Sequence, residues 1–290
     1  LVFLHAGHAG GFQWFDWELH PDVLLFCFAL LGAYWYSITE LRPRISDAGR
    51  VKGTQKVAFF LGVLTVYAAT GSPLDVLADE YLASAHMLQH VLLTLVAAPL
   101  LLAGTPGWLW QALFRRFHLL PAVRLITHPV LALAIFNGVL LVTHLPSTVD
   151  LQLREVWFHF LVHVALLASG LVMWWPVLSQ VPEAPRLSYP LQMGYLFLQS
   201  LLPAVMASFV TFSDRVVYTA YAEAPRIWNL SAIDDQQLGG LIMKLMGTVV
   251  LWYFIAAAFF KWYAKEEAEA RGIRWQEVEE ELEELGLTEK

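Results

Sequence analysis

Two short stretches of the chain, "HMLQH" (His86 to His90) and "HFLVH" (His159 to His163), each set two histidines four residues apart. On a helix that spacing places both rings on one face, one turn apart, where a single metal ion can meet both. Each stretch lies near the start of a long apolar run. A polar ring buried in lipid needs a partner, so four such rings point to a metal or cofactor site rather than to four separate structural contacts. Imidazole suits copper, zinc, iron and nickel, whereas thioether favours Cu(I). Met87, Met206, Met243 and Met246 fall at similar depth to the histidines. Each methionine alone reads as core filler, but their shared depth turns the choice to copper, with Cu(I) as the expected state. The candidate metal ligands are therefore His86, His90, His159 and His163, with His144, Met87, Met243 and Met246 as secondary ones. No catalytic residue is assigned.

The elements that must carry these residues are membrane helices. Hydrophobic residues make up 58% of the 290, aromatics 14% and charged residues 15%, and the mean hydropathy is +0.54, a balance suited to a chain solvated mostly by lipid. Apolar runs of roughly 18 residues or more fall near 22–39, 55–71, 82–103, 125–145, 156–178, 190–212 and 238–263. The period-two alternation of an outer-membrane barrel is absent from the sequence, so the runs are read as helices that satisfy their own backbone groups. The expected fold is an all-α polytopic membrane protein with seven transmembrane helices. Residues 1–21 form an extracytoplasmic N-terminal segment, 22–263 the transmembrane domain and 264–290 an acidic cytoplasmic helical tail, with no soluble domain between spans.

Basic residues set the orientation. Arg42, Arg44, Arg50, Lys52 and Lys56 follow span one, Arg115, Arg116 and Arg124 follow span three, and Lys261, Lys265, Arg271, Arg274 and Lys290 lie in the tail. The alternate connections hold only Arg154, Arg215 and Arg226. The positive-inside rule then puts the N-terminus outside and the C-terminus in the cytoplasm. With ~1.5 Å of rise per residue, His86 and His90 on span three lie about 6 and 12 Å from the outer surface, and His159 and His163 on span five about 5 and 11 Å. His144 closes span four on the same side, while His118 and His128 fall on the cytoplasmic side.

Several other features bear on the site. The loop "SPLDVLADEY" carries Asp75, Asp79 and Glu80, and the N-terminal segment adds His5, His8 and His20; such a surface can attract a cation, although an acidic loop is ordinarily a solvated turn. The opening "LVFLHAGHAGG" has the small residues of a signal cleavage region. Lys244, about 9 Å into span seven, is expected to pair with Asp234 or Asp235 or to snorkel outward. In "DDQQLGG", Asp234 or Asp235 suits a helix cap, and Gly239 with Gly240 suits close helix approach. Pro203 is expected to kink span six, with Gln199 satisfying the backbone it exposes. Cys27, the only cysteine, reads as a small hydrophobe and excludes an internal disulfide or a CxxC motif.

The HMxxH helix, the HxxxH helix, "WWPVL", "LSYPLQMGYLFLQSLLPAV" and "WNLSAIDDQQLGGLIM" together resemble the CtaG family of cytochrome c oxidase assembly proteins, over about residues 20 to 262. The resemblance implies a seven-span protein that helps deliver or insert copper into the copper B centre of a haem-copper oxidase. It matches His86, His90, His159 and His163 to the paired-histidine helices, and Asp235, Gln236, Gln237, Gly239 and Gly240 to the opening of the last span. Lys244 departs from the pattern, where an apolar or aromatic residue is expected. The partners implied are an oxidase core subunit, an extracytoplasmic copper donor and membrane lipid, with no nucleic acid, in a bacterial inner (plasma) membrane. The sequence holds no nucleophile elbow, phosphate loop or dinucleotide fingerprint, so the chain is read as a metallochaperone and not an enzyme. Two alternatives remain: a b-type haem protein with bis-histidine ligation, or a metal-ion transporter. The apolar inner halves "LLTLVAAPLLLAG" and "ALLASGLVMWW" favour a one-sided site over a through-path.

Overall fold

The computed structural model describes residues 20–45 and 48–284, and among them the structure is helical with no strand. The principal helices are α1 (Pro21–Tyr36), α2 (Gly53–Thr70), α3 (Ala83–Gly104), α4 (Pro129–Thr143), α5 (Val156–Leu178), α6 (Tyr189–Thr211) and α7 (Ala232–Glu284). Among the described residues six helices are long and apolar enough to cross a membrane, and α4 together with Leu120–Ile126 makes a seventh if that bent pair is counted as one span. That pair is bent by 73°, so the single run expected over 125–145 is a broken element. Pro129 explains the break, because it keeps His128 out of the helical region and is itself tolerated only at a helix start.

Helix α3 is the enclosed element. Within its most apolar stretch 72% of residues are buried, against 33% for α2 and α5 and 17% for α1 and α7. It packs on α2, α5 and α7, while α6 lies against α7 and α4. The outward faces are apolar in compensation, with Leu25, Phe28, Val205, Phe209, Val249 and Phe260 all exposed, as a surface solvated by lipid requires. The chain is a multi-pass membrane protein.

The two ends of the bundle are built differently. At the end where α5 finishes, Trp174 is fully buried and donates to the Thr94 carbonyl at 2.9 Å, and Trp175 and Ser179 both donate to the Ala184 carbonyl. Glu183 in the following turn accepts from Gln111 and Arg115, hydrogen bonds that hold its carboxyl below the usual carboxylate range. Thr94 lies on a stretch of α3, Leu92–Ala97, whose backbone bonds widen to the i+5 pattern. Such a widened turn is often found beside functional residues, and here it begins two residues past His90. The acidic tail is helical through Glu284 and continuous with the last span in α7.

Candidate metal centre

The opposite end gathers the histidines. The first turns of α3 carry His86 and His90, the first turns of α5 carry His159 and His163, and His144 terminates α4. Ring centroids of His86 and His90 are 4.3 Å apart, as are those of His159 and His163. Across the helices, His86 lies 5.3 Å from His159, and His90 lies 5.7 Å from His163 and 5.3 Å from His144. The sequence spacing thus translates into one knot of five rings. His118 and His128 are exposed and stand apart from it, while His5 and His8 lie outside the described residues.

Burial without pairing sets this knot apart chemically. His86 is fully buried and His90 nearly so, yet among the described residues neither ring nitrogen of either has a hydrogen-bond partner, nor has Nε2 of His159 or of His163. A buried polar atom left unpaired costs roughly 1–3 kcal/mol. Several at one point make an expensive void in the polar accounting unless something binds them. Imidazole nitrogens gathered in this way are a set that could hold a metal ion.

The structure also places a carboxylate in the knot that the sequence spacing does not assign. Asp79 Oδ2 lies 3.4 Å from His159 Nδ1, so the carboxylate fixes the Nδ1–H tautomer and leaves Nε2 as the donor to an ion, as outer-shell partners of metal-bound histidines do. Ligand atoms of Asp79, His86 and His159 all fall within 4.8 Å of one another. Donors about 3.3 Å apart would enclose a tetrahedral ion with ~2.0 Å bonds, so modest side-chain movement closes the site. The stretch "SPLDVLADEY" is accordingly not a solvated loop. Asp75 and Tyr81 are buried, Gln89 of α3 donates to Asp75 at 2.7 Å, His20 sits 3.5 Å from the same carboxylate, and Tyr221 donates to the Ala78 carbonyl at 2.6 Å. Burial holds the Tyr221 phenol well above its ordinary value, so it remains a neutral donor.

Of the secondary candidates, His144 joins the knot, while two of the methionines fall on the other side of α3. Met87 and Met243 are buried and line, with Met206, His144 and Tyr218, a cavity of about 160 Å³. Met246 is 37% exposed and lies outside that cavity. Cys27 packs between α1 and α2 among Phe59, Val63 and Val66, away from the histidines.

The "DDQQLGG" segment supports the centre and does not enter it. Asp235, fully buried, accepts from the Ala83 and Ser84 backbone N–H groups at 2.7 and 3.1 Å and from the Ser84 hydroxyl. It therefore caps α3, the helix that bears His86 and His90, where Leu82 offers no side-chain cap of its own. The cap of α7 comes from Ser231, which accepts from the Asp234 N–H. Gly239 and Gly240 allow close approach to different neighbours: a Cβ at Gly239 would stand 3.2 Å from Met87 Cγ, and one at Gly240 only 2.4 Å from Thr211 Oγ1. Lys244 pairs with neither aspartate. It donates to Ser208 at 3.1 Å and lies over the Phe212 ring. Gln199 does not cover backbone exposed by Pro203, as its amide bridges Asn137 and Tyr195.

The family model described as cytochrome c oxidase caa3 assembly factor (Caa3_CtaG) matches residues 32–265, a range that takes in every histidine of the knot and every methionine of the cavity. The chain belongs to this family. No curated protein and no solved structure matches it. Membership assigns it to cytochrome c oxidase assembly, and the resemblance drawn from the paired histidines and the "WNLSAIDDQQLGGLIM" segment stands on the family match.

Proposed function

We propose that the chain binds copper, as Cu(I), in the histidine knot and passes it by ligand exchange to histidines of an oxidase core subunit at the copper B centre. The observation that carries this reading is the set of unpaired ring nitrogens on His86, His90, His159 and His163, buried together beside Asp79. The chain acts as a carrier rather than as a catalyst: copper is cargo, and no covalent bond in a substrate is made or broken. The distribution of basic residues puts the knot on the extracytoplasmic side of a bacterial inner membrane, where an extracytoplasmic donor would load it.

Packing disfavours the two competing readings. The rings contact one another at 4.3 to 6.5 Å and so do not flank a slot for a porphyrin plane. Deeper along α5, Leu166, Met173 and Trp174 are fully buried apolar side chains, which suits a site loaded and emptied from one side. The test is to replace His90 or His163 and to measure copper in the purified protein and in the host oxidase. Both should fall while the variant accumulates normally, and His118→Ala should change neither. Full copper and full oxidase assembly in the His90→Ala strain would overturn the proposal.

A further inference from the structure

We infer that the methionine-lined cavity is a second metal station, selective for a soft monovalent ion such as Cu(I), separate from the imidazole knot and joined to it through His90 and His144. The inference rests on the copper reading above and divides the ligands that reading groups together. Helix α3 forms the partition. His86 faces His159 on α5, whereas the next residue, Met87, lies against Gly239 on α7 and lines the cavity with Met206 of α6 and Met243 of α7. Three helices thus each supply one thioether to one space of about 160 Å³, room for an ion together with further ligands. Thioethers are weak ligands for hard or divalent ions and good ones for Cu(I), so the two sides of α3 differ in the ion they hold best.

His144 connects the two sides. Its Nδ1 lies 2.8 Å from the Leu140 carbonyl, which can only accept, so Nδ1 carries the proton and Nε2 keeps the lone pair that a metal needs. Its backbone carbonyl is held in turn by the Tyr218 hydroxyl. The ring lines the methionine cavity and sits 5.3 Å from His90 in the knot. An ion leaving His90 therefore meets His144 next, and His144 also borders the cavity that holds the thioethers. The cavity also reaches the bundle surface at Phe209, which lines it and is 76% exposed. An ion held there is nearer to a neighbouring membrane protein than one in the knot.

The experiment uses the full chain in detergent with two probes, Ag(I) as a closed-shell stand-in for Cu(I) and Co(II) as a divalent ion that reports nitrogen and oxygen ligands by its visible spectrum. The variant Met206→Leu/Met243→Leu, nearly volume-conserving, should lose one equivalent of Ag(I) and keep the Co(II) spectrum. His86→Ala/His159→Ala should lose Co(II) and keep one equivalent of Ag(I). Silver X-ray absorption on the unaltered protein should show sulfur scatterers, a readout that does not depend on any variant folding. Unchanged Ag(I) stoichiometry in the methionine variant, or silver with nitrogen neighbours alone, would make the methionines packing residues and end the proposal. Loss of both probes together in the histidine variant would show one site instead of two and would also end it. Absence of Co(II) binding with sulfur-bound Ag(I) intact would remove the imidazole centre and leave the methionine station standing.

Discussion

Two buried polar groups in this bundle look alike in the sequence and behave oppositely in the structure. In the chain from α4 to α6 to α5, Asn137 Nδ2 donates to Gln199 Oε1 at 2.7 Å, Gln199 Nε2 donates to Tyr195 Oη at 2.9 Å, and the Tyr195 hydroxyl donates to the Met173 carbonyl at 2.8 Å. Two of these bonds, Asn137 to Gln199 and Tyr195 to Met173, cross between helices, while Gln199 to Tyr195 and the second Asn137 hydrogen bond, to the Leu133 carbonyl, stay within one helix. In the histidine knot both ring nitrogens of His86 and His90, and Nε2 of His159 and of His163, are buried without such a bond among the described residues, although Asp79 and the Leu140 carbonyl hold the Nδ1 atoms of His159 and His144. The first arrangement is how a membrane bundle fixes its helices, and its value is internal. The second stabilises nothing by itself and makes sense as a receptor for a ligand from outside the chain.

Three substitutions separate the two roles. The largest effect is expected at Asp235, whose carboxylate caps α3: Asp235→Asn turns one acceptor into a donor facing the Ala83 or Ser84 N–H and should lower stability by about 2 kcal/mol. Because the capped helix carries His86 and His90, copper content should fall as well, and a thermal melt in detergent paired with metal analysis reads both. Gln199→Leu breaks the amide relay and should cost about 1–2 kcal/mol with copper unchanged. Added copper should raise its melting temperature by the same increment as in the unaltered protein, since a ligand of the folded state stabilises whatever remains able to bind it. Smallest is Lys244→Met, which removes a cation bonded to Ser208 and no ligand; copper occupancy should hold or rise slightly with the loss of a nearby positive charge. A drop in copper in the Gln199 variant, or its complete loss in the Lys244 variant, would erase the distinction between the relay and the knot.

Much of this was legible in the sequence because helical periodicity and apolar length are local properties. The i, i+4 histidine pairs and the shared depth of their helices follow from 3.6 residues per turn and 1.5 Å of rise. The glycine pair at Gly239 and Gly240 was readable as a close helix approach, although each meets a different neighbour. What escaped was set by tertiary placement. Asp79 is seven residues from His86, a spacing that would share a face on one continuous helix, but the chain breaks helical geometry at Leu82 (φ −131°, ψ 119°) and returns the carboxylate to the knot by a different route. Asp235 was readable as a cap, but the helix it caps lies about 150 residues earlier in the chain, and no local pattern encodes that partner. The bend between Leu120–Ile126 and α4 was signalled by Pro129 and hidden by uninterrupted apolarity.

The most direct test is copper X-ray absorption on the purified chain loaded with two equivalents of Cu(I), enough for the knot and the methionine cavity, recorded for the unaltered protein and for His86→Ala/His159→Ala. The unaltered protein should show imidazole scattering at about 2.0 Å, and the variant should lose most of it while keeping its helical content. A copper spectrum without imidazole ligands, or one that the double substitution leaves unchanged, would contradict the assignment of the histidine knot as the copper centre.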